Sequence, residues 1–191
     1  MIKKWLNRVF IDGLSGMAMG LFATLIVGTI ISQIGTIVGG ETGNYLVMMS
    51  SVAKVLTGAG IGVGVAHKYG ESPLVTVSAA SAGMIGAFAS KLLAGEVIVE
   101  GALHLTGAGE PLGAFIAAYV GIELGHLVSG KTKLDILVTP MVTILLGGMV
   151  GLFVGPSISQ FMAQLGAMIQ WGTEQQPFLM GIIVSVLMGI I

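Results

Sequence analysis

The chain has 191 residues, of which 54% are hydrophobic and only 9% charged, with a net charge of −1 and no cysteine. So little charge excludes an ordinary soluble domain, and eight scattered Lys and Arg exclude the concentrated basic surface that nucleic acid requires. Lacking Cys, the chain has no disulfides, thiolate nucleophiles, Cys-ligated zinc or iron–sulfur clusters.

Long apolar stretches cover residues 11–38, 45–66, 74–94, 112–128, 136–154 and 178–191, separated by short polar clusters. About 20 mainly apolar helical residues cross a hydrocarbon core about 30 Å thick. The pattern predicts an all-α, polytopic helical membrane protein of about six transmembrane helices, forming a single membrane domain over residues 1–191. The first stretch follows Lys3, Lys4 and Arg8 and is too long for a signal peptide, so it reads as the first span. Within it Gly16 and Gly20 are four apart, a spacing that lets helix backbones approach closely. The second stretch carries Lys54 near its middle, then Gly58, Gly60, Gly62 and Gly64. Glycines at every second position cannot hold one helical face. They mark either close packing or a locally unwound point, which a membrane tolerates only where protein or a water-filled cavity covers the backbone.

The fourth stretch carries Glu123 and, one turn on, His126, beside the small pair Gly121 and Gly125. Charge inside a span is costly and usually marks a pathway or a partner. Lys54 and Glu123 have opposite signs and offer a pair across helices, lining a polar cavity; the bland alternative has Lys54 snorkelling or sealing a subunit contact. His104 and His126 lack ligand spacing, so hydrogen bonding is the better reading for them and no metal site is expected. In the fifth stretch Pro140, with Thr139 and Thr143, predicts a bend with backbone-bonding hydroxyls, followed by Gly147, Gly151 and Gly155. After Gly155 and Pro156, apolar residues at Ile158, Phe161, Met162, Leu165, Met168 and Ile169 follow helical spacing. Residues 157–171 are therefore expected to form an amphipathic helix lying in the interface, with Trp171 at headgroup level. The alternative is a fifth span that runs long and kinks at Pro156. Residues 178–191 reach only about 21 Å as a helix, an unfinished span.

Basic residues set orientation. Lys3, Lys4 and Arg8, then His67 and Lys68, then Lys131 and Lys133 fall on alternate connections; Glu41, Glu96, Glu100, Glu110 and Glu174 fall on the others, with Lys91 the one basic residue there. This places the N-terminus in the cytoplasm. No GxSxG, HExxH or phosphate-binding loop occurs, so no catalytic residue, cofactor or covalent chemistry is expected of the chain.

Residues 131–171, KTKLDILVTPMVTILLGGMVGLFVGPSISQFMAQLGAMIQW, resemble the membrane-embedded IIC component of the bacterial sugar phosphotransferase system, especially its fructose- and mannitol-type branch. A Pro-containing span there runs into a Gly-Pro pair and a surface helix. The stretches GLSGMAMGLFATLIVGTIISQIG and EPLGAFIAAYVGIELGHLVSGKT are similar to the first and fourth spans of a stand-alone IIC-like group. The resemblance implies a homodimeric permease for a sugar or similar small polar solute in the bacterial cytoplasmic membrane, in contact with lipids and served by a separate IIB component that phosphorylates the sugar. Glu123, Lys54, Thr139 and Pro140 are the residues expected near the solute path. The chain departs from the pattern in having no IIB cysteine, no phospho-accepting His setting, and a Gly121-Ile122-Glu123 triplet without the sugar-motif spacing. It is expected to be the N-terminal part of a longer permease whose re-entrant half would follow Ile191. The competing expectation is a non-transporting membrane sensor, or a regulatory or dimerisation module, derived from the same fold.

Overall fold

A computed structural model of the chain describes residues 2–175, 178, 180–183 and 185. The first apolar stretch is one long helical run: α1 (Ile2–Asn7), a π-helical segment (Arg8–Gly13), α2 (Leu14–Leu21), a second π segment (Phe22–Ile26) and α3 (Val27–Val38). It stops at Gly39 and Gly40, both at φ +63°, a left-handed conformation that costs glycine nothing. Helix α4 (Gly40–Val55) then returns against α3, Gly35 facing Gly43 across the crossing. Leu56 leaves helical geometry at ψ 8°, and α5 (Thr57–Lys68) continues at 53° to α4. Ser72 and Pro73 start α6 (Pro73–Ala87), the hydroxyl accepting from the Val75 amide while Pro occupies the first turn, where a missing N–H is harmless. Glu110 and Pro111 start α8 (Pro111–Val128) in the same way, Glu110 accepting from the Leu112 amide.

Among the described residues three helices are long and apolar enough to cross a membrane: Lys3–Val38, Pro111–Val128 and Asp135–Glu174; the bent pair α4 and α5 makes a fourth if taken as one span. The expected third span over 74–94 is not continuous. It breaks at Phe88 (φ −108°, ψ 13°) into α6 and the short α7 (Ala89–Leu93), and α6 alone, at 15 residues, rises only about 22 Å. Between α7 and α8 lies an antiparallel hairpin that the all-α reading did not include, β1 (Ile98–Val99) with β2 (Ala102–Leu103), Ile98 opposite Leu103. The expected sixth stretch, 178–191, lies largely outside the described residues.

Helix α9 (Asp135–Gln175) runs unbroken through Pro140 and Pro156. Residues 157–171 are helical as the spacing predicts, but they prolong the fifth stretch and form no separate helix, the long-running alternative. A proline in a long membrane helix forfeits one backbone bond, and neighbouring groups re-satisfy it. The chain divides into two compact units, Met1–Pro156 and Ser157–Ile191. In the second, Phe161, Met168 and Trp171 are exposed and Gly172 packs on Met180.

Small residues line the helix crossings of the first unit, Phe88, Ile61 and Ile122 fill its core, and many large apolar side chains lie on its outside. Buried positions include Ala66, Ala79, Ala114, Ala118, Ile61 and Ile122, whereas Ile37 and Phe153 are more than four-fifths exposed (84% and 82%). The alternating glycines of α5 are regular helix, not an unwound point. Gly60 and Gly64 face α2, and a Cβ on Gly16 would fall 2.7 Å from the Gly64 carbonyl oxygen. Gly58 and Gly62 face α6 instead, at Gly83 and Ala79. The two-residue period therefore serves two neighbours on opposite sides. Gly121 and Gly125 meet Thr143 and Gly147 of α9, and Gly151 and Gly155 meet Gly86 and Ala89.

Candidate functional site

Arg8 is the sole arginine of the chain and opens the first π segment. Its guanidinium lies between two carboxylates, donating from Nε to Glu123 Oε1 at 2.8 Å and from an Nη to Glu71 Oε1 at 3.2 Å. Glu71, on the turn between α5 and α6, has a side chain only 3% exposed, and its other oxygen accepts from His126 Nδ1 at 2.8 Å. A carboxylate only accepts, so Nδ1 carries the proton, and the contact becomes an ion pair when the imidazole is charged. The His126 side chain is otherwise 62% exposed. Tyr69 completes the group: the guanidinium sits 4.2 Å above its ring, and its hydroxyl donates to the Arg8 carbonyl at 3.0 Å. Burial, reinforced by Tyr119, holds the Tyr69 phenol above its ordinary pKa of 10.0, so it stays a neutral donor. Trp5 Nε1 donates to Tyr119 at 3.0 Å, fixing the N-terminal turn to α8.

The sequence-derived pairing of Lys54 with Glu123 is therefore corrected: Glu123 is paired with Arg8. Glu123 and Gly125 differ by about 200° around α8, so the face that carries the carboxylate is turned from the face that packs on α9. Glu71 and Arg8 were missed as site residues. One sits in a polar turn where a carboxylate is ordinary, and the other served as an orientation signal; the useful clue was a single arginine, whose planar fork suits two carboxylates.

Lys54 stands elsewhere, on the last turn of α4 beside the 53° bend. It is half-buried and forms no ion pair among the described residues. It lines a cavity of about 310 Å³ with Ser51, Val55, Leu105, Thr106 and Gly107, where the segment preceding α8 comes against the bend. Lys91 holds that segment from α7, its Nζ 3.1 Å from the Thr106 carbonyl oxygen and 3.5 Å from the Thr106 hydroxyl. Ser51, Thr106 and Gly107 are exposed, so the cavity is an open hollow whose wall offers hydroxyl, ammonium and backbone groups beside Val55 and Leu105.

Thr139 and Pro140 belong to neither arrangement. Thr139 is fully buried and donates to Asp135 Oδ1 at 2.6 Å; Asp135 also accepts from the Gly130 amide at 2.8 Å, closing the turn before α9. Thr143 donates to the Thr139 carbonyl, one turn back, at 2.9 Å. Of the remaining histidines, His104 binds through its backbone amide to the Val97 carbonyl at 2.7 Å, and His67 is exposed in the last turn of α5. Among the described residues no group of three His, Cys, Asp or Glu is placed to hold a metal ion.

No curated protein and no solved structure matches the chain. Over residues 11–191 it matches the protein family described as "Phosphotransferase system, EIIC". Apolar helices of spanning length and a match over nearly the whole chain lead to one assignment: the chain belongs to the phosphotransferase system EIIC family, the membrane-embedded sugar-transport components that work with other components of that system such as IIB.

Proposed function

We propose that the chain passes a monosaccharide-sized solute across the bacterial cytoplasmic membrane, and that the cavity beside Lys54 is where the solute is held. The observation that carries this reading is a half-buried lysine at a break in a span, lining a cavity of about 310 Å³ together with hydroxyl and backbone groups. The bend satisfies its own backbone, the Leu56 amide donating to the Val52 carbonyl and the Thr57 hydroxyl to the Lys54 carbonyl, so the polar groups left to a solute are Ser51, the Lys54 ammonium and the Thr106 to Gly107 segment. In this reading Glu123 serves the path from its cytoplasmic end as the outer carboxylate of the Arg8 group, and Thr139 and Pro140 act indirectly by setting the course of α9 against α8. The N-terminus is cytoplasmic, and Trp171, in the second half of the continuous α9, stands at headgroup level. The permease belongs to the fructose- and mannitol-type branch, works as a homodimer, and leaves phosphoryl transfer to a separate IIB component, with no covalent step on this chain.

The test is thermal unfolding of the detergent-solubilised protein in a panel of monosaccharides. A ligand at a hundred times its Kd stabilises the folded state by about 2.7 kcal/mol, a shift of several degrees. Ser51→Phe, which fills the cavity, is expected to remove the shift while the unliganded Tm stays within a few degrees. A panel that produces no shift, or a shift that survives Ser51→Phe, sinks the proposal and favours the non-transporting sensor.

A further inference from the structure

The cavity beside Lys54 carries a positive charge that no acidic side chain on its lining offsets. Among the residues that line it there is one ammonium and no carboxylate. The second cation nearby, Lys91, is not on the lining; its Nζ is held by the Thr106 carbonyl, and neither ammonium is in an ion pair among the described residues. No acidic residue lines the cavity: Glu96 precedes the hairpin and Glu100 stands in its turn, both exposed. Glu110 is turned to the start of α8, accepting from the Leu112 amide at 3.3 Å, and Glu41 lies in the first turn of α4, about 20 Å along the helix from Lys54. Val55 and Leu105 give the hollow apolar sides, while Ser51, Thr106 and Gly107 are exposed, so the Lys54 charge is partly solvated and only partly screened. A neutral polyol would accept one hydrogen bond from Nζ and leave the charge in place. An anionic group would offset it, through a charge-assisted bond roughly twice as strong as a neutral one.

We infer that the solute taken at this cavity is an anionic monosaccharide, held by its carboxylate on Lys54, with its hydroxyls toward Ser51 and the Thr106 to Gly107 backbone. The inference rests on the reading of this cavity as the solute site. It goes further by fixing the substrate class. A carboxylate is preferred to a phosphate because one lining ammonium matches one negative charge, whereas a phosphate ester brings close to two.

Calorimetric titration of the detergent-solubilised protein with glucose, glucuronate and glucose 6-phosphate at matched ionic strength tests it. The expected result is glucuronate binding about tenfold tighter than glucose, equivalent to about 1.4 kcal/mol. Lys54→Gln should bring that ratio close to one while glucose still binds, and Lys54→Arg should keep it. Equal affinity for glucose and glucuronate in the unsubstituted protein overturns the inference and leaves the sugar site standing. A preference that persists in Lys54→Gln overturns it as well, since the charge would then come from elsewhere. Tighter binding of glucose 6-phosphate than of glucuronate overturns the carboxylate assignment. Binding of none of the three removes both the inference and the cavity reading.

Discussion

At the scale of single residues the tightest arrangement is Arg8 between Glu71 and Glu123, and burial decides which partner matters more. The Glu71 side chain is 3% exposed and that of Glu123 is 36% exposed, so water can replace Arg8 for the second carboxylate and not for the first. Removing one member of a buried pair typically costs about 3–5 kcal/mol because it strands the other charge. Arg8 is itself 35% exposed, which puts Arg8→Met near the low end, about 3 kcal/mol in micelle unfolding. Glu71→Gln is expected to destabilise more than Glu123→Gln, and the Arg8→Met/Glu71→Gln double variant to fall short of the sum of the singles by at least about 1 kcal/mol. Additive effects would mean that the contact contributes nothing beyond its separate parts. Lys54, Glu123 and His126 were legible in the sequence because ionisable residues stand out in apolar stretches. Their partners were not, since charge signs along a chain do not say which helix faces which. The pairing of Glu123 passed to a residue 115 positions away that the sequence had offered only as an orientation marker.

At the scale of elements, the helix crossings depend on the absence of side chains. A Cβ at Gly62 would fall on the Ala79 carbonyl, which is backbone and cannot move aside as a side chain can. Gly62→Leu is therefore expected to destabilise by about 3 kcal/mol, the upper range for overpacking, and to pry α5 from α6. Gly166, in the second half of α9, has nothing within 4 Å of its Cβ position, so Gly166→Ala should stabilise by about 0.5–1 kcal/mol through helix propensity alone. Unfolding curves of the two variants against the unsubstituted protein check the contrast, and equal effects would refute the crossing argument. The glycine pairs at four-residue spacing were readable because that spacing has one geometric meaning in a helix. Helix breaks were not: Leu56 and Phe88 are apolar, so a hydropathy window passes over them. The visible punctuation misled in the other direction, as Pro156 lies inside α9 where a stop was expected.

At the scale of the whole molecule, the alternation of basic and acidic connections and the three-dimensional contacts bear on the same question. Arg8, the α5 to α6 turn and the last turns of α8 meet at one end, through Glu71 and through the Ser72 and Ser129 hydroxyls 2.9 Å apart. Lys68 and Lys131 flank those same connections, whereas Glu41, Glu96 and Glu100 lie on the others. Positive charge is retained on the cytoplasmic side during insertion, so the end that holds Arg8 is predicted to be cytoplasmic. The lack of native cysteine allows single substitutions to report this without background. Glu100→Cys sits at the tip of the exposed hairpin turn, next to Gly101, and should react with a membrane-impermeant maleimide added to intact spheroplasts. Lys131→Cys, exposed in the connection before α9, should react only after the membrane is permeabilised. The reverse pattern would invert the protein. It would also put the open edge of His126 outside the cell, away from any soluble phosphotransferase partner, so the face on which such a partner could meet the Arg8 group turns on this labelling experiment.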